Sequence, residues 1–203
     1  MTTNEHLRKI VDYQLLYSPY MRDIGLFHGK MGVVMALYMY SAKYHDELIS
    51  EFAWDLFQQV YDGITSNMPV GLEYGLAGIG YSTTMLYKRG LVDCDLNSVL
   101  VDVDAKIMEH DPRRMEDQSI RAGVRGLLQY IALRKSTGES LETFDTQYLS
   151  ELHTSAAPVV SGNQQTDIMS ILNVPAFSIE EYVDKPLGID EGSAYYILKD
   201  ILA

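Results

Sequence analysis

The chain has 203 residues, of which 47% are hydrophobic and 22% charged, and this length suits one well-buried core or at most two small domains. Its formal net charge of −12 repels phosphate backbones and excludes broad nucleic-acid binding. A single cysteine excludes an internal disulfide, and the lack of a long apolar run predicts a protein of the cytoplasm with no membrane span.

Amphipathic helices are predicted in four places along the chain. In each, apolar residues recur at the helical spacing of three and four, and charged or polar residues occupy the opposite side. In chain order, these apolar faces are Leu7, Ile10, Val11, Leu15 and Leu16; Ile49, Phe52, Ala53, Leu56, Phe57 and Val60; Leu96, Val99, Leu100, Val103 and Ile107; and Leu141, Phe144, Tyr148 and Leu152.

A glycine motif of eight positions, Gly-apolar-x-x-Gly-x-x-small, lies between these helices and recurs four times. The copies span residues 25–32, 71–78, 119–126 and 188–195. The third is looser because Ser119 replaces the first glycine, and the fourth is degraded because Tyr195 replaces the small residue at position eight. Their starts are 46, 48 and 69 residues apart, and the first two spacings suit a repeat of two helices and two turns. The third, longer spacing predicts an irregular insertion around 157–177.

The segments that follow the first three copies are apolar nearly all round, which is typical of helices buried on most sides. We therefore expect each repeat to pair an outer amphipathic helix with an inner buried helix that starts at the motif. The resulting prediction is one all-α domain over residues 1–203, built of about four helical hairpins.

The repeated Gly-Leu-x-x-Gly-x-x-Gly resembles the lanthionine synthetase C-like family, and copies 25–32 and 71–78 are the most specific. The resemblance covers roughly residues 5–203. It implies an α/α toroid with a central cavity ringed by the starts of the inner helices. Full-length cyclases of that family close the ring with seven hairpins, so about four hairpins imply a partial toroid.

Cyclases of that family use a zinc ion, held by two Cys and one His, to activate a thiol, because zinc presents a thiolate at neutral pH. One of these cysteines directly precedes a His-Gly. Here Phe27 precedes His28-Gly29, and Cys94 lies outside every motif copy. We therefore predict no metal site, no cofactor and no zinc-dependent cyclisation.

His28 stands in the register of a His-Gly that the resemblance associates with acid/base chemistry, so it is the candidate catalytic residue. The alternative is a hydrogen-bonded histidine that braces the start of a helix. Six further polar residues at motif positions are candidates for binding a peptide, although they could equally be solvated turn residues or pair across repeats. They are Glu73, Tyr74, Arg121, Arg125, Asp190 and Glu191.

The leading functional hypothesis is a non-catalytic relative of the family that binds a peptide or protein partner in modified-peptide biosynthesis or export. The alternative is a glycosidase-like hydrolase that uses carboxylates such as Glu73 and Asp190 in the cavity of an α/α toroid. An open stack of hairpins would expose the apolar face of its last hairpin, so a homodimer is also expected.

Overall fold

The computed structural model describes residues 3–65, 67–139, 141, 143–156 and 167–202. In these ranges the chain forms eight α-helices and three short 3-10 turns and contains no strand, which confirms the all-α class. It divides into two compact units, unit 1 from Met1–Ile64 and Ile168–Ala203 and unit 2 from Thr65–Asp167. Both the single repeat domain and the toroid stay predictions.

Unit 1 contains two pairs of an outer and an inner helix. The outer helices are α1 (Thr3–Tyr17) and α3 (Glu47–Asp62), and the inner helices are α2 (Lys30–Tyr44) and α8 (Ala194–Leu202). Helix α2 packs against α3 and α8, and α8 also packs against α1. Twelve of the fifteen residues of α2 are buried, as expected for an inner helix.

The predicted apolar face of α3 is confirmed at its centre. Ile49, Ala53, Leu56 and Val60 are buried, whereas Phe52 and Phe57 at the edges are half-buried. On α1 the prediction fails at its last residue, because Leu16 is 66% exposed. Gln14, in contrast, is fully buried and donates hydrogen bonds from Nε2 to the Leu187 carbonyl and to Ser193 Oγ, both 2.9 Å away.

Unit 2 repeats the outer and inner arrangement. Its inner helices are α4 (Leu76–Lys88) and α6 (Val124–Lys135), which pack against each other, and its outer helices are α5 (Leu96–Met108) and α7 (Thr146–Ser155). Gly80 allows the close approach of α4 to α6, because a Cβ there would lie 2.5 Å from the Tyr130 ring.

A fully buried ion pair connects α5 and α6. Arg134 Nη2 donates to Asp104 Oδ2 at 3.0 Å, and Thr143 Oγ1 and the Tyr130 hydroxyl donate to the same carboxylate. Burial raises the pKa of Asp104, although these hydrogen bonds and the Arg134 charge oppose the shift. Arg134 Nε and Nη1 have no hydrogen-bond acceptor among the residues that the structure describes.

The described part of the predicted insertion begins at Asp167 and contains a 3-10 turn, Ile168–Ile171; residues 157–166 lie outside the described residues. Ser178 and Glu181 have the spacing of a helix-capping box, which predicts a helix start. That prediction is wrong, because no helix starts there. The Ser178 amide does donate to Glu181 Oε2 at 3.1 Å, but this hydrogen bond belongs to an isolated turn.

Two expectations about surfaces can be compared with the structure. Across the described ranges, no helix combines the length and the apolar composition that crossing a bilayer requires. The apolar side of α8 is covered within unit 1, where Ala194, Ile197 and Leu198 are buried. The homodimer was expected because the last hairpin would expose its apolar face. That reason no longer applies, and the homodimer stays a prediction.

Candidate functional site: the paired motif turns

All four motif copies form the same turn before an inner helix. In each, the amide of position six donates to the carbonyl of the residue two before the copy, seven residues back along the chain. These bonds are Lys30 to Asp23, Leu76 to Pro69, Val124 to Asp117 and Ser193 to Pro186, at 2.8–2.9 Å. We call this segment, from two residues before each copy to position six, the motif turn.

The glycine at position five is required sterically in every motif turn. A Cβ there would lie 2.0–2.3 Å from a backbone atom of the same turn, far inside van der Waals contact. The four glycines are Gly29, Gly75, Gly123 and Gly192. Three of them directly precede the first residue of their helix, so the glycine lets the chain enter the inner helix tightly folded.

Each unit brings two motif turns together with the same geometry. In unit 2 the amide of Glu73 donates to the carbonyl of Arg121, and in unit 1 the amide of Asp190 donates to the carbonyl of Phe27, both at 2.9 Å. All four residues occupy position three. Both pairs are also close at position one, since a Cβ on Gly71 or on Gly188 would lie 2.6–2.7 Å from the Cα of the facing position-four residue.

The pairing in unit 1 brings together two predicted site residues, His28 and Asp190. His28 Nε2 lies 3.4 Å from Asp190 Oδ2; the Asp190 side chain is 1% exposed and that of His28 28%. Asp190 also accepts a hydrogen bond from the Asn173 amide at 2.5 Å and one from Asn173 Nδ2 at 3.4 Å. A buried carboxylate held in this way can orient an imidazole for proton transfer.

The pairing in unit 2 brings together Glu73 and Arg121. Arg121 Nη1 donates to Glu73 Oε1 at 3.0 Å, and their side chains are 26% and 15% exposed respectively. This pair lies at the same motif position as Asp190 and Phe27 in unit 1. Glu73 and Asp190 are therefore equivalent carboxylates, one facing an arginine and the other a histidine.

The other three predicted binding residues, Tyr74, Arg125 and Glu191, are exposed. Tyr74 and Glu191 occupy position four of their copies, and Arg125 occupies position seven. Glu191 has a φ of 56°, a left-handed conformation that is uncommon for a residue other than glycine. Its amide donates to the Asn173 carbonyl at 3.1 Å, which helps hold it there.

Sequence reasoning missed Asn173, because it lies outside every motif copy and nothing in its neighbourhood marks it. It also missed a sequence pattern that distinguishes the copies, at the position two residues before each one. Aspartate precedes the first and third copies, and Asp23 and Asp117 each accept a bond from the amide two residues on, at 2.7 and 2.6 Å. Proline, at Pro69 and Pro186, precedes the second and fourth copies. This alternation matches the observed pairing of second with third copy and fourth with first.

Two features bear on metal binding. His28 and Asp190 offer an imidazole and a carboxylate, both of which are groups that zinc binds. Cys94 is half-buried, and burial together with Asp93 and Asp95 raises the pKa of its thiol. A raised pKa keeps the thiol protonated, which disfavours metal binding and nucleophilic attack by Cys94.

Comparison with protein-family models, with curated proteins and with solved structures yields no match to this chain.

Proposed function

We propose that the chain is a relative of the lanthionine synthetase C-like proteins that binds a peptide or partner protein at its motif turns. Its role lies in the biosynthesis or export of modified peptides, and it does not perform zinc-dependent cyclisation. The observation that carries this proposal is the motif turn itself, formed four times with one hydrogen-bonding pattern. Phe27, in place of the family's zinc-binding cysteine, supports a binding role over the cyclase reaction.

The charged residues of the motif turns would select the peptide. In unit 2, Glu73 and Arg121 remain partly exposed while paired and Arg125 is exposed, so groups of both signs can meet a ligand there. In unit 1, Glu191 is exposed. Contacts of this type set the specificity and the rate of association more than the affinity. We therefore expect a preference for peptides of a particular charge pattern.

The test is an array of 15-residue peptides rich in Ser, Thr and Cys, with acidic or basic flanks. It compares the wild-type protein with an exchange variant, Glu73→Arg with Arg121→Glu, which keeps the ion pair but reverses the charge at both positions. The matched control is Lys43→Asp with Asp200→Lys, because that exposed pair, 2.7 Å apart, lies outside the motif turns. We expect the motif exchange to change the set of bound peptides and the control exchange to leave it unchanged. Capture of no peptide, or an identical set for all three proteins, would contradict the proposal.

A second candidate function, acid–base hydrolysis, is favoured by the pairing of His28 with buried Asp190. In that function Asp190 positions the imidazole, and His28 moves the proton. The test is turnover of p-nitrophenyl glycosides and esters by the wild-type protein and by His28→Gln. Turnover that disappears with His28→Gln supports hydrolysis, whereas no turnover by the wild-type protein, or turnover that survives the substitution, rejects it.

A further inference from the structure

The outward side of α3 combines an aromatic ladder with a row of carboxylates. Trp54, Phe57 and Tyr61 follow one another at helical spacing, with ring centroids 5.7 and 6.4 Å apart. Trp54, the only tryptophan of the chain, is 49% exposed. The carboxylates of Glu47, Glu51, Asp55 and Asp62 are exposed beside this ladder. We call these seven residues the α3 outer face.

Within the part of the chain that the structure describes, the carboxylates of the α3 outer face form no ion pairs. None of the sixteen residues of α3 is basic, and none of the four carboxylates forms a salt bridge with any residue that the structure describes. Glu47, Glu51 and Asp55 are four residues apart in turn, a spacing at which like charges destabilise a helix. Asp62 lies in the last turn, where the helix dipole disfavours a negative charge. Glu47, in the first turn, is favoured by the same dipole, but the like charges and Asp62 still cost α3 stability, and no described residue provides compensation through an ion pair.

A cationic partner would supply that compensation. Lysine and arginine side chains can pair with the carboxylates, and a cation can also stack on the half-exposed Trp54 ring. The face extends along about four turns of helix, roughly 23 Å. A partner helix of similar length, with apolar residues for the aromatic ladder and basic residues for the carboxylates, matches both its chemistry and its size.

We propose that the α3 outer face is a docking surface for a basic amphipathic helix of a partner protein. This surface is separate from the motif turns and does not depend on the function proposed for them. Glu73→Arg with Arg121→Glu should accordingly leave it intact.

The test uses an 18-residue amphipathic helix of leucine and lysine without tryptophan, together with the same peptide carrying glutamate in place of lysine. Trp54 emission reports directly on binding, because no other tryptophan contributes. We expect the lysine peptide to shift the emission to shorter wavelength, saturably and more weakly at high salt, and the glutamate peptide to leave it unchanged.

Two charge-matched variants separate docking from general attraction by an acidic protein. Glu51→Gln with Asp55→Asn removes two charges from the α3 outer face, and Asp102→Asn with Glu109→Gln removes two exposed charges in unit 2. We expect the first to weaken binding of the fluorescein-labelled lysine peptide by about tenfold and the second by less than about twofold. Equal weakening, binding without a change in Trp54 emission, or no binding of the lysine peptide would each overturn the proposal.

Discussion

Unit 2 builds its pair of motif turns from consecutive copies, whereas unit 1 builds its pair from the last copy and the first. The backbone contacts of the two pairs are the same, since position three donates to position three at 2.9 Å in both. The side chains differ. Unit 2 sets Glu73 against an arginine, and unit 1 sets the more buried Asp190 against His28 and Asn173.

This difference shows which part of the repeat is structural and which part can vary. The glycine at position five and the hydrogen bond across seven residues are present in all four motif turns, so they define the scaffold. The residues at positions three and four change from copy to copy without changing that scaffold. Positions three and four are therefore where a repeat of this kind can acquire a specific ligand or reaction.

The largest effect is expected from Arg134→Met, because it breaks the fully buried ion pair of unit 2. The substitution leaves the Asp104 carboxylate buried without its counter-charge, which costs about 3–5 kcal/mol of the free energy of unfolding. Urea unfolding followed by circular dichroism measures it. The control Arg113→Met removes a pair whose arginine is 66% exposed and should cost less than about 1 kcal/mol. Equal losses would mean that the buried pair contributes no more than a surface pair.

Gly75→Ala in unit 2 and Gly192→Ala in unit 1 test whether the motif turns are equivalent. Each new Cβ would lie 2.2–2.3 Å from backbone, so each variant should lose about 3 kcal/mol in thermal and urea unfolding. Gly138→Ala is the control. Its Cβ meets nothing within 4 Å, and the φ of +81° costs only about 1–2 kcal/mol. A large loss for one motif glycine and a small loss for the other would show that the two turns are not equivalent.

Asp190→Asn and Glu73→Gln compare how much the two position-three carboxylates contribute to the free energy of unfolding. Asp190 is the more buried and accepts bonds from the Asn173 amide and side chain, so its replacement should cost about 1–3 kcal/mol. Glu73 is partly exposed, and its replacement should cost less than about 1 kcal/mol. The free energies of unfolding of both variants, measured side by side, decide the order. If Glu73→Gln is the more damaging, the Glu73–Arg121 pair and not the Asp190 cluster is the stronger connection between motif turns.

The smallest expected effect is a pH dependence that originates in unit 2. Burial raises the pKa of Asp104 in the folded chain above its value of 3.8 in the unfolded chain, so the folded state binds the proton more tightly. The contribution of Asp104 to stability therefore increases as pH falls from neutral toward 3.8 and is lost as pH rises through the folded pKa. The free energy of unfolding of the wild-type protein minus that of Asp104→Asn should rise in the same direction. A difference that stays constant with pH, or falls on acidification, would contradict the raised pKa.

Much of the fold could be predicted because local signals decide it. The apolar spacing around Ile49 and Leu56 predicts the buried side of α3, and the glycine at position five predicts where the inner helices begin. The box at Ser178 and Glu181 misled because its hydrogen bonds form equally well in a single turn.

The candidate site was less predictable, since its contacts join distant parts of the sequence. Nothing near Asp190 indicates that Asn173 and His28 will surround it, because a spacing between distant residues carries no geometric information. The residue two before each copy does carry geometric information, because it divides the four copies into two kinds. One kind has an aspartate there, Asp23 or Asp117, and the other has a proline, Pro69 or Pro186. This division becomes interpretable once the pairing of the turns is known.

The pairing in unit 1 also has a consequence for the order of events during synthesis. The motif turn at 25–32 leaves the ribosome early, but its partner at 188–195 follows roughly ten to thirty seconds later at ordinary elongation rates. Until then the Asp190 amide cannot donate to the Phe27 carbonyl, and α8 cannot pack against α2. Both copies of unit 2 emerge within that interval, so unit 2 can complete its own pairing before the second segment of unit 1, from Ile168 onward, has been made.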